Sequence, residues 1–189
     1  MIYDFSDTTE LKIGIVSDTH GEIDARVVAL LADCAIKIHA GDIMGKQVLD
    51  SLQQGGGEVI AVRGNNDFPG AWDSQDREVV SKLPDEVRIK LPGGDVVVTH
   101  GHQHGGNKIL HSHLRETFND VRLIIYGHSH HLAHDQDATP WVVNPGAAGR
   151  TRTHGGPSCL ILTVSHKQWH IEPVRFHDAE QPTNRPSFA

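Results

Sequence analysis

Seven side chains in this sequence carry oxygen or imidazole nitrogen at spacings suited to transition-metal chemistry. They fall in five ordered motifs: Asp18-Thr19-His20, Gly41-Asp42, Gly64-Asn65-Asn66-Asp67, Thr99-His100-Gly101-His102 and Gly127-His128-Ser129-His130. Asp18 and His20 lie two residues apart, so an extended backbone would point both the same way, and His128 and His130 repeat the spacing. Taken singly, each motif has an ordinary structural explanation, such as an Asx turn or helix cap at Asp18. A left-handed loop would account for Gly64 to Asp67. Taken together and in this order, they supply enough ligands for two neighbouring metal sites. Mixed nitrogen and oxygen donors favour Mn, Fe, Zn, Co or Ni over Ca or Mg.

The elements that must bring these residues together are legible as apolar, β-branched runs. Leu11 to Ser17 reads as a buried strand, Asp24 to Asp33 as an amphipathic helix and Cys34 to Ala40 as a second strand. A helix near Lys46 to Gln54 ends at the triple glycine Gly55 to Gly57, and Glu58 to Arg63 is a third strand. This β-α-β-α-β rhythm predicts parallel pairing with helices on the sheet. In such sheets ligands bind beyond the carboxyl ends of the strands, where Asp18, Asp42 and Asn65 all lie. The segment Phe68 to Lys82 has no clear assignment.

Beyond it, Val87 to Leu91 and Asp95 to Thr99 flank Pro92-Gly93-Gly94 as a hairpin. A helix is predicted near Asn107 to Thr117, then strands at Val121 to Tyr126, Trp141 to Val143, Ser158 to Val164 and Gln168 to Val174. A parallel beginning and an antiparallel end imply an α/β fold of two packed sheets with helices outside. Residues 1–177 are expected to form a single domain, and residues 178–189, polar and with two prolines, a flexible tail.

Composition narrows the classes of partner. The chain has 189 residues, 38% of them hydrophobic, which is enough for a sizeable core. A formal net charge of -7 argues against long nucleic acids, which require a basic surface. No apolar run approaches the roughly 18 residues of a membrane span, and the N-terminus lacks a signal-like pattern. Cys34 and Cys159 stand outside any CxxC pattern and read as small buried hydrophobes, so a reducing cytoplasm is the expected location.

The ordered set DxH, GD, GNxD, THGH and GHSH resembles the calcineurin-like metallophosphoesterase superfamily, in particular its small YfcE-type phosphodiesterases. The resemblance runs from Leu11 to about Val174 and includes Asn144-Pro145-Gly146, similar to the family's late NPG turn. It implies a β-sandwich of two mixed sheets flanked by helices. It places Asp18, His20 and His130 on one metal and Asn65, His100 and His128 on the other, with Asp42 bridging. It further implies a phosphodiesterase in which a metal-bridging hydroxide attacks the phosphate ester, with manganese the leading ion and Ni, Co, Zn or Fe the others. Two such dications carry roughly four positive charges against two carboxylates and a hydroxide, leaving about +1 to meet a phosphate anion. Asp42, Asn65, His100 and His102 are the residues expected to act in catalysis.

Many members of the superfamily have a histidine at the position of Asn66, where it is thought to protonate the leaving group. Asn66 cannot do so. His102 and His104 are possible substitutes, since their alternation suggests a shared side facing the site. Arg63 is read as a structural ion-pair residue and His39 as a strand residue. His111, His113, His131, His134 and His154 are read as non-ligands. No inserted cap is evident, so selectivity is expected from the loops Phe68 to Gln75 and Gly101 to Asn107. The substrate is expected to be a small phosphate ester, with a homodimer as the assembly suggested by small relatives. The competing functions are a phosphomonoesterase and a non-catalytic protein-interaction scaffold like the superfamily's retromer subunit.

Overall fold

The computed structural model describes residues 1–105 and 110–177. Two sheets face each other. In the first, β2 (Glu10–Val16), β3 (Ile36–His39) and β4 (Glu58–Ala61) run parallel, and β10 (Ser158–Ser165) and β11 (Trp169–Arg175) extend the sheet antiparallel on the far side of β2. The second contains β1 (Ile2–Asp4), β5 (Glu86–Leu91), β6 (Gly94–Thr99), β7 (Leu123–Ile125), β8 (Leu132–Asp135) and β9 (Trp141–Pro145), in the order β1-β5-β6-β7-β9-β8.

Strand periodicity explains the core between them. Ile13 and Ile15 face inward with Ile36, Ile38 and Ile60, and meet Val87, Ile89, Val96, Val98, Leu123 and Ile125 of the second sheet. The alternate residues cover the outer faces. Val16 and Ile161 pack with Val27 and Leu31 of α1 (Ala25–Leu31) and Leu52 of α2 (Lys46–Gln53). On the other side Val97, Ile124 and Val142 pack with Leu114 of α4 (His111–Thr117). Burial on both faces is why these strands read as nearly continuous apolar runs. Gly14 is the exception in β2: a Cβ there would come within 2.6 Å of Leu31 Cδ2, so its absence lets α1 lie close to the sheet.

One expectation needs correction. The second half is not simply antiparallel: β6, β7 and β9 pair in parallel, with Val98 opposite Ile125 and Ile125 opposite Val143. Each sheet therefore aligns three strand ends on one rim, just as Ile15 opposite Ile38 and Ile38 opposite Ile60 do in the first sheet. The sheets also do not divide the chain at its middle, because β1 joins the later strands and β10 and β11 join the early ones. The segment Phe68 to Lys82 holds a 3-10 turn at Ser74–Asp76 and α3 (Arg77–Lys82), whose single buried residue, Val80, leaves little periodic signal. The helix expected from Asn107 begins at His111; its start at 107–109, the end of the loop Gly101 to Asn107 and the tail 178–189 lie outside the described residues.

Candidate metal centre

The loops that leave β2, β3, β4, β6 and β7 meet at the rim where both sheets end. The loop after β2 lies against the loop after β3: Asp18 N–H donates to Gly41 O at 3.0 Å and His20 N–H to Asp42 O at 3.0 Å. Gly127 N–H donates to His100 O at 3.1 Å, joining the THGH and GHSH loops in the same way. A Cβ on Gly127 would strike the Ser17 hydroxyl and approach Asp18 Oδ2 to 2.9 Å, so only glycine allows the loops of the two sheets to cross here.

The backbone between paired ligands is not extended, contrary to expectation. Asp18, His20, Asp42, His128 and His130 have φ of 53°, 49°, 56°, 67° and 59°. Left-handed backbone costs a non-glycine residue about 1–2 kcal/mol, and Asn, Asp and His are the types that tolerate it best. Five of the seven predicted ligands therefore share an unfavourable conformation that turns each side chain into the rim.

Among the described residues, two groups of ligand atoms lie within 4.8 Å of one another: Asp18, His20 and His130, and Asp42, His100 and His128. In the first, His130 Nε2 is 3.4 Å from Asp18 Oδ1 and 3.1 Å from His20 Nε2. Asp18 Oδ2 accepts the His128 N–H at 2.9 Å, but its Oδ1 is buried and has no hydrogen-bond partner. A buried carboxylate oxygen without a donor calls for a cation. In the second group, His100 Nε2 is 3.4 Å from Asp42 Oδ1 and 3.1 Å from Asn65 Oδ1. Asp42 Oδ2 lies 3.7 Å from His20 Nε2, so its carboxylate faces both groups.

Backbone carbonyls fix how the imidazoles present themselves. His100 Nδ1 is 2.7 Å from Ala40 O and His130 Nδ1 is 3.2 Å from Thr151 O. A carbonyl only accepts, so Nδ1 carries the proton in each and Nε2 faces the centre, the arrangement found in metal-binding histidines. These donors fit two divalent ions.

The electrostatics are those of a crowded, desolvated site. Burial pushes the Asp18 carboxyl up to about 7, opposed by the charge of His100. Asp42 is also penalised by burial, but the His100 hydrogen bond and charge, with two donors from Asn66, hold it well below the usual carboxylate range. Burial disfavours a charged His100, yet Asp42 and Asp18 outweigh it and raise its pKa. Burial pushes His130 down to about 4, helped by the nearby Arg152 charge.

Several supporting roles escaped the sequence reading. Asn66 donates to Asp42 twice, from its backbone N–H to Oδ1 at 2.9 Å and from Nδ2 to Oδ2 at 2.7 Å, so the residue that replaces an acid holds a carboxylate in place. Asp67, buried, accepts from Ile43 N–H, Met44 N–H, Gly64 N–H and Trp72 Nε1–H and ties the second and third motif loops together. His39 accepts the Gly41 N–H on Nδ1, which leaves Nε2–H to donate to Thr19 Oγ1 at 3.0 Å. Asn144 of the NPG turn donates to Gly127 O at 2.8 Å and to Ser129 Oγ at 3.1 Å, pinning the loop between His128 and His130. The residue types were legible within or beside the motifs, but these contacts were not.

His102 and His104 do not share a side. They sit in a 3-10 turn, His102–His104, where positions two apart point in different directions. The His102 ring centroid is 5.5 Å from that of His100 and 6.2 Å from that of His128, whereas His104 packs on Phe118 at 5.3 Å. Arg63 pairs with Asp85 at 2.6 Å. His111 binds Asp135 and Tyr126, and His131 stacks on His154 at 3.9 Å; none of them belongs to the two ligand groups.

Fold and site together define a metal-binding phosphoesterase architecture, and the comparisons agree. Residues 11–167 match the calcineurin-like phosphoesterase superfamily domain, and the chain belongs to that superfamily. It is 27% identical to phosphodiesterase MJ0936 of Methanocaldococcus jannaschii over 167 residues, which cover 84% of this chain and 96% of the relative. The crystal structure of wild-type Vps29 complexed with zinc, from Entamoeba histolytica, shares the fold with a TM-score of 0.64 at 19% identity, covering 87% of this chain and 99% of that one. The structure of YfcE, a phosphoesterase from E. coli, does so with a TM-score of 0.59 at 23% identity, covering 87% of this chain and 99% of its own. Among the described residues no helix is long and apolar enough to cross a membrane.

Proposed function

We propose that the chain is a dinuclear metal-dependent phosphodiesterase acting on a small phosphate ester. The observation that carries this reading is the unpartnered, buried Asp18 Oδ1 facing His130 Nε2, beside an Asp42 carboxylate that faces both groups of donors. Asp18, His20 and His130 would hold one ion, Asn65, His100 and His128 the other, and Asp42 both. When bound, two such ions supply charge neutralisation at the phosphoryl oxygens and lower the pKa of water toward neutrality. The mixed donors suit Mn, Fe, Zn, Co or Ni, manganese leads among them on the family resemblance alone, and a diester substrate is favoured by the name of the Methanocaldococcus relative.

The chain's own residues set orientation. Asn66 holds both oxygens of Asp42, and Ala40 O aims the His100 ring through its Nδ1–H. His102, beside the rings of His100 and His128, is positioned to contact the ester.

The test is a screen of metal-stripped protein with Mn, Ni, Co and Zn against bis-p-nitrophenyl phosphate and p-nitrophenyl phosphate. Metal-dependent turnover is expected, faster on the diester and abolished in His128→Ala. A higher rate on the monoester assigns a phosphomonoesterase. Absence of turnover with all four ions refutes the enzyme and leaves the protein-interaction scaffold.

A further inference from the structure

Arg152 lies outside every motif yet points into the centre. It follows β9, on the segment from Gly149 to Pro157, and has a left-handed φ of 53°. Its Nη2 is 2.9 Å from His130 Nε2 and 3.5 Å from His20 Nε2. The preceding residue, Thr151, supplies the carbonyl that accepts from His130 Nδ1, so the segment is anchored to the ligand it touches. Arg63, Arg88, Arg115 and Arg150 each pair with a carboxylate. Arg152 has no carboxylate partner among the described residues. It directs a guanidinium, with five donors in a planar fork, at two ring nitrogens that can satisfy few of them.

An imidazole Nε2 has one lone pair. A divalent ion held by Asp18, His20 and His130 would take the lone pairs that Arg152 now addresses, and the two cations would repel. The guanidinium must then swing off the rings while its backbone stays beside them. Within its reach is whatever anion approaches that ion. A phosphoryl group offers paired oxygens that match the fork, a geometry lysine cannot reproduce.

We propose that Arg152 is a substrate-binding residue that exchanges partners, donating to His130 and His20 until an ion takes them and then to the phosphoryl oxygens of the ester. This assignment rests on the metal reading above. It gives Arg152→Ala effects of opposite sign on two equilibria, because the side chain competes with the ion and assists the anion. Loss of a merely structural side chain would weaken both or neither.

The experiment is calorimetric titration of metal-stripped protein with Mn2+ alone, then of the Mn2+-loaded protein with inorganic phosphate. Arg152 is exposed, so its variants are expected to fold. Arg152→Ala should bind Mn2+ about three- to tenfold more tightly, as expected for removal of one competing hydrogen bond. It should bind phosphate about tenfold or more weakly, as expected for loss of a bidentate charged pair. Arg152→Lys should fall between the two in phosphate affinity. Phosphate binding unchanged in Arg152→Ala, with Mn2+ still bound, overturns the assignment alone. Failure of the wild-type chain to bind Mn2+ overturns the metal reading and this one with it.

Discussion

Asp67 offers the sharpest test of how the centre is held together. Its Oδ1 accepts from Met44 N–H at 2.8 Å and Trp72 Nε1–H at 3.1 Å, and its Oδ2 from Ile43 N–H at 3.1 Å and Gly64 N–H at 2.9 Å. The residue is only 1% exposed, so water cannot readily replace the lost acceptors. Asp67→Ala leaves four donors without partners, and at about 1 to 1.5 kcal/mol each the loss is about 4–6 kcal/mol. That is a large part of the roughly 5–15 kcal/mol by which a domain of ordinary stability is folded. Asp67→Asn has nearly the same shape but can accept on one side only, and its amide group faces two N–H donors whichever way it turns. It should lose about half as much, roughly 2–3 kcal/mol. Urea denaturation of metal-stripped protein, followed by far-UV circular dichroism, measures both. Because the clamp fixes the loop carrying Asp42, the Asn variant should also bind Mn2+ more weakly than wild type at temperatures where both are folded. If both variants unfold within about 0.5 kcal/mol of wild type, a typical value for an uninvolved surface site, the clamp does not hold these loops.

Two further outcomes follow from named side chains. Burial pushes His39 down to about 4, against 6.5 for the free side chain. Below pH 6.5 the unfolded chain takes up a proton that the folded chain excludes, so this stability is present above pH 6.5 and lost as pH falls toward 4. The full loss is roughly 3 kcal/mol. Denaturation midpoints at pH 7, 5.5 and 4.5 should fall more steeply for wild type than for His39→Gln, and equal slopes would sink the idea. Asn66 has no proton to give and its amide is committed to Asp42, so rates over a series of aryl diesters should drop as the leaving-group pKa rises. A flat series would falsify the absence of an acid, and Asn66→His should flatten a steep one.

The sequence made the strands and the ligand types legible because both are local properties. The apolar run in Leu11 to Ser17 shows a buried strand, and β-branched runs before Gly127 and Gly64 show where strands stop. Pairing is not local. Nothing in Trp141 to Val143 says that it lies parallel to β7, yet that register brings the later strand ends to the rim. The same limit hid β1 and β8, short strands of which only parts are covered. Within the centre, the histidines announced themselves by spacing, whereas the left-handed backbone at Asp18 and His20 did not. The roles of Asp67, itself part of the third motif, and of Arg152 were invisible for a related reason. Their importance lies in what they face, four N–H groups from three segments in one case and two imidazoles from both sheets in the other.

Crossing loops give the centre a further property. Asp18, His20 and Asp42 hang from the first sheet, and His100, His128 and His130 from the second, so each ligand group contains members of both. An ion held there would work as a rivet between the two layers, and the spacing of the donors offered to it would depend on the apolar filling beneath. Ile38 and Val98, just beneath the rim, belong to that filling. The interior would then act as a gauge for the metals, with packing errors far below the surface registering first as a change in affinity at the top.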